Sequence, residues 1–115
     1  MSSNFLTPSQ ATREGYLTKE EVQELQLISD KYKTVFYVIG SRAAGTGRNI
    51  SRMHLPAGKG AGTRSDIDVR IDGQTDINSG GRLSHEISDV SKGAGNARPL
   101  IGKVPSAPAI MFTPR

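Results

Sequence analysis

Cysteine and tryptophan are absent from this 115-residue chain, and histidine occurs only at His54 and His85. Without thiols there is no disulfide framework, no Cys-based zinc site and no cysteine nucleophile. Two imidazoles are too few for a His-rich metal cage. No apolar run approaches the ~20 residues that a membrane-spanning helix needs. The first ten residues offer only Phe5-Leu6 as a short apolar pair, with no basic flank, so they do not read as a targeting signal. Aromatic residues make up 5% of the chain and apolar residues 35%, enough for one modest core. Any chemistry falls to hydroxyls, carboxylates and basic groups.

What is present is glycine, with 13 residues, and positive charge, with a net +4 and a pI near 9.7. A basic balance favours anionic partners such as nucleotides or nucleic acid, though solubility alone also accounts for it. Arg42, Arg48, Arg52, Lys59 and Arg64 lie in one stretch that carries no acid until Asp66. That stretch reads either as a phosphate-attracting segment or as a solvated basic loop.

Residues 1–17 read as a leader or linker, and 18–115 as the domain. Thr18 with Glu21 fits a capping box that opens a helix to about Tyr32. Val22, Leu25, Ile28 and Tyr32 recur on one face of it, a packing stripe. Thr34 to Ile39 is a β-branched and aromatic run bounded by Gly40-Ser41, hence a buried strand. Ser41 to Gly45 suits a short helix, and the sequence on to Gly62 reads as loop. Strict alternation then places Ile67, Val69 and Ile71 on one face of a second strand. Asp66, Asp68, Arg70 and Asp72 fall on the other. Leu83, Ile87 and Val90 are spaced for a second amphipathic helix, stopped by Gly93 and Gly95. From Asn96 to Pro108 glycine, proline and serine argue against a regular element, and Ala109 to Phe112 suits a short edge strand. The expectation is an α+β fold, a small mixed sheet with helices packed on one face.

Two features carry the chemistry. One is Gly40-Ser41 at the end of a buried strand; the other is Ser65-Asp66-Ile67-Asp68 opening the next. Residues i and i+2 of a strand share a face, so Asp66 and Asp68 place two carboxylates side by side, an arrangement that a cation relieves. Such hard donors suit Mg²⁺, which commonly takes one or two carboxylates together with substrate phosphates. A strand–Gly-Ser–helix turn offers backbone N–H groups and a hydroxyl to phosphate. Together these are the tools of phosphoryl or nucleotidyl transfer. Each half alone is ordinary: an Asp-x-Asp on a polar strand face is usually solvated, and a Gly-Ser after a strand is usually a turn. Lys59 in Gly58-Lys59-Gly60 does not make a P-loop, because the upstream glycine position holds Met53.

At Gly40-Ser41-Arg42-Ala43-Ala44-Gly45 and Ser65-Asp66-Ile67-Asp68 the sequence resembles the DNA polymerase β-like nucleotidyltransferase superfamily, over Val35 to Ile71, about a third of the chain. Three further stretches resemble the nucleotidyltransferase-like domains that end bacterial polymorphic toxins of the Rhs and contact-dependent-inhibition type. They are Gly58 to Asp68, Gly93-Ala94-Gly95-Asn96 and Pro108 to Pro114. The resemblance implies a minimal nucleotidyltransferase-like fold and transfer of an NMP from an NTP to an RNA end, tRNA included, or to a protein hydroxyl. Gly40 and Ser41 would hold the β/γ-phosphates, and Asp66 and Asp68 would be the catalytic metal ligands for Mg²⁺ or Mn²⁺. Arg42 and Arg64 would neutralise phosphate charge, unless they are ordinary surface residues. Action in the cytoplasm after delivery within a larger protein, and an immunity protein as partner, also follow from it. The superfamily's third carboxylate has no counterpart in Ala109 to Phe112. Asp76 is one alternative; Asp72 is another, though it lies roughly 13 Å beyond Asp68 at ~3.3 Å per residue. A non-catalytic nucleotide- or RNA-binding module using the same cleft is the competing expectation.

Overall fold

The computed structural model describes residues 5–72, 77–90 and 97–115. Within them the order is α1 (Lys19–Tyr32), β1 (Phe36–Ile39), α2 (Ser41–Ala44), β2 (Ile67–Asp72), α3 (Ile77–Ser88), β3 (Ala97–Gly102) and β4 (Ile110–Phe112). The strands form one mixed sheet in the order β3-β2-β1-β4. β1 runs antiparallel to both β2 and β4, and β2 is parallel to β3. The fold is α+β, as expected.

Helix α1 starts as its sequence dictates. The Thr18 hydroxyl accepts from Glu21 N (3.1 Å), and Glu21 Oε1 accepts from Thr18 N (2.9 Å), which completes the capping box. Leu25 and Ile28 are buried, with Val22 and Tyr32 packed at the margin. The alternation in β2 also holds: Ile67, Val69 and Ile71 are buried in the same core as Phe36, Val38, Ile110 and Phe112. Leu83 and Ile87 from α3, with Val90 just after it, pack against that cluster, so both long helices lie on one face of the sheet. Each such fully buried aliphatic or phenyl group contributes about 1.5–3 kcal/mol. The Lys31 ammonium (2.9 Å) and the Tyr32 hydroxyl both donate to Glu86 Oε2, tying α1 to α3.

Two expectations need correction. Ala97–Gly102, within the stretch expected to be irregular, is a strand. It pairs with β2 on one side only, and on a free sheet edge the missing N–H of Pro99 breaks no ladder. Residues 5–17, within the stretch expected as a leader or linker, pack against the rest of the domain. Leu6 N donates to Ala109 O (2.9 Å) and Met111 N to Leu6 O (3.0 Å), which stitches this arm onto β4. Ala11 and Leu17 are buried in the core, and the Phe5 ring lies 5.3 Å from that of Tyr37. Gly15 (φ +89°) passes so close to Gly45 that a Cβ would collide with the Gly45 carbonyl. Asp76, Gly93 and the Gly93-Ala94-Gly95-Asn96 stretch lie outside the described residues.

Candidate functional site

The antiparallel pairing of β1 with β2 brings the two halves of the sequence constellation together. Ile39 pairs with Asp68, so the turn that follows β1 falls beside the start of β2. Gly40 has φ 76° and ψ −152°, a region essentially confined to glycine. The space that a Cβ would fill is already taken: Asp68 Oδ2 lies 2.9 Å from that position. Gly40 is exposed, and Ser41, Asp66 and Asp68 are half-buried, so the juncture is open to solvent on one side. Ile67 is fully buried, which directs Asp68 to the opposite face of the strand, while Asp66 lies one residue before β2 begins. Helix α2 is a single four-residue turn, too short for much macrodipole. Phosphate binding here would rest on the Gly40 backbone, the Ser41 hydroxyl and a cation.

Arg42 and Arg64 were expected either on phosphate or at the surface, and the structure places both elsewhere. Each side chain is fully buried, and they share one carboxylate, Glu21. All five guanidinium donors of Arg42 are engaged. Nε and Nη2 donate to Ser65 O (3.1 and 3.0 Å), Nη1 to Tyr16 O and Glu21 Oε1 (2.8 Å each), and Nη2 also to Glu21 Oε2 (3.3 Å). Arg64 donates through Nη2 to Glu21 Oε2 and through Nε to Ile50 O (2.8 Å). Neither guanidinium reaches the surface. Burial pulls the Arg42 pKa below its ordinary value, opposed first by the Glu21 carboxylate and more weakly by the charge of Asp66.

Glu21, which the sequence marks as a capping residue, has a second role that no local pattern announces. Its carboxylate accepts from Thr18 N in the capping box and, 21 residues before Arg42 and 43 before Arg64, also pairs with both buried guanidiniums, offsetting one of their two positive charges. Ser65 belongs with it. Its carbonyl takes two bonds from Arg42, its hydroxyl accepts from Arg48 N (2.8 Å), and its amide donates to Arg48 O (3.1 Å). The loop from Thr46 to Arg64 is folded upon itself. Arg48 Nη2 reaches Gly58 O and Thr63 Oγ1 (2.8 and 2.9 Å), and Asn49 Nδ2 reaches Thr63 O (2.9 Å). Its exposed cations are Arg52 and Lys59.

A cleft of about 750 Å³ opens between the arm and residues 50–53, lined by Thr12, Leu17, Thr18, Ile50 and Met53 among others. None of Gly40, Ser41, Asp66 or Asp68 lines it. Among the described residues, no group of three His, Cys, Asp or Glu is arranged to hold a metal ion, and no helix is long and apolar enough to cross a membrane. Comparisons with family models, with curated proteins and with solved structures give no match for this chain.

Proposed function

We propose that the domain is a divalent-cation-dependent nucleotidyltransferase, moving an NMP from an NTP to an RNA end or a protein hydroxyl. The observation that carries this reading is the contact of Asp68 with the Gly40-Ser41 turn, which puts carboxylate oxygen against the backbone that would receive phosphate. The donor chemistry of the two aspartates suits a single hard cation. Asp66 and Asp68 supply hard oxygen donors, and Mg²⁺ commonly takes one or two carboxylates plus substrate phosphates. When bound, that cation would neutralise phosphate charge and orient the scissile bond.

The chain's own contribution is positional. Gly40, lacking Cβ, lets the Asp68 carboxylate lie against the turn. Ser41 offers its hydroxyl as a hydrogen-bond donor, and Asp68, beside it, restricts where a cation and a triphosphate can sit. Transfer from labelled NTP in Mg²⁺ is expected to disappear in the Asp66→Ala, Asp68→Ala double variant; full activity in that variant rules the mechanism out.

A second reading is favoured by β3, which sets Arg98 at the register position of Asp68 and contains no acid. Without a third carboxylate from β3, the site would bind nucleotide or RNA without turnover. Mg²⁺-independent RNA binding whose salt slope falls by about one per removed phosphate contact in Arg52→Ala or Lys59→Ala distinguishes it. Action as a toxin effector overlays either reading; it predicts growth arrest when the domain is expressed alone in a bacterial cytoplasm, and rescue by an immunity protein.

A further inference from the structure

The geometry points to Arg42 as the positioning residue of this site, the group that holds Asp66-Ile67-Asp68 in place beside the Gly40-Ser41 turn. This inference rests on the cation-site reading above. Arg42 lies two residues after Gly40, on α2, and its Nε and Nη2 both grip the carbonyl of Ser65, the residue immediately before Asp66. One rigid plane therefore bridges the two segments, across a sequence separation of 23. Three further bonds fix the plane itself: one from Nη1 to Tyr16 O, and two to the Glu21 carboxylate. Rotation of the guanidinium would break bonds to the arm, to α1 and to the β2 approach together. No atom of the Arg42 or Glu21 side chain is exposed, so water does not compete for these bonds.

Lysine retains the charge but not the fork: one ammonium cannot reproduce five donors in a fixed plane. The probe is Mn²⁺ alone, which takes carboxylate oxygens as Mg²⁺ does. Arg42→Lys is expected to weaken Mn²⁺ binding by about tenfold, the lower end of the loss when a group that orients metal ligands is changed. It should also speed amide exchange at Ser65 and Asp68 while leaving Leu25 in α1 protected. Raising Mn²⁺ about tenfold should restore NMP transfer in Arg42→Lys but not in Asp68→Asn, a rescue that general unfolding would not allow.

Unchanged Mn²⁺ affinity in a folded Arg42→Lys protein overturns the positioning role and leaves the cation site standing. Mn²⁺ binding that is absent in the wild type, or indifferent to Asp68→Asn, overturns the cation-site reading instead, and the positioning role with it. If Arg42→Lys does not fold, the wild type decides. The Ser65 amide, although in a loop, must then exchange as slowly as that of Val69 in β2, and fast exchange at Ser65 rejects the inference.

Discussion

Glu21 and Arg42 meet edge to edge at 2.8 and 3.3 Å with neither side chain exposed, while the other flank of the same carboxylate holds Arg64. A helix-capping glutamate thus doubles as the counter-ion of two buried guanidiniums. Removing it leaves both cations without their carboxylate in a medium that stabilises charge poorly. Glu21→Gln is expected to cost about 3–5 kcal/mol, the range seen when one partner of a buried ion pair is deleted. Urea unfolding measures it; a loss comparable to that of an exposed pair would mean that water or a rearranged side chain compensates.

Gly40→Ala combines a backbone penalty with a collision. The conformation at φ 76° is strained for any L side chain, about 1–3 kcal/mol, and the new methyl meets Asp68 Oδ2. The expected outcome is a folded protein of reduced stability that has lost Mg²⁺-dependent nucleotide binding. Calorimetric titration at matched folded fraction checks it.

Leu17, in the arm, is 1% exposed. Leu17→Ala should destabilise the whole domain by about 2–5 kcal/mol, as truncation in a closed core does. A residue in a detachable leader would lose nothing on the same denaturation curve.

The acid limb of stability should depend in part on Glu86. Hydrogen bonds from Tyr32 and then Lys31 hold its pKa below the ordinary carboxylate value. A lowered folded-state pKa means a contribution present above the unfolded value, roughly 4.3, and lost as pH falls through the folded one. Because the side chain is 34% exposed, the effect is screened and should remain below ~1 kcal/mol. Glu86→Gln should accordingly lower the melting temperature slightly at pH 7 and converge with the wild type once the pH has fallen below the folded-state value.

How much of this was legible in the sequence follows from how local each signal is. The Thr18–Glu21 box and the Ile67-Val69-Ile71 alternation declare themselves within a few residues, and both elements stand where the pattern puts them. The meeting of Gly40 with Asp68 was implied, since a turn and an Asp-x-Asp at two strand boundaries become neighbours once the strands pair. Ala97–Gly102 was hidden because Pro99 and Gly102 weaken its local preference, while the parallel pairing with β2 that makes it a strand is invisible to any short window. The fate of Arg42 and Arg64 was hidden for a similar reason. Nothing beside either residue marks it as buried, and the one acid that makes burial tolerable lies on α1. An acid-free stretch from Lys31 to Ser65 containing several arginines was the available clue that a distant carboxylate had to enter.

The stitch between Leu6 and β4 has a consequence for how the chain matures. Leu6 exchanges backbone bonds with Ala109 and Met111, over a hundred residues away. Closing so large a loop carries an entropic cost that no local contact offsets in advance. During synthesis at ~5–20 residues per second, the early segment waits several seconds before its docking strand exists. Ala11 and Leu17 are then apolar groups in search of a core, so the nascent protein should be at its most vulnerable to proteases and chaperones until residue 112 has emerged.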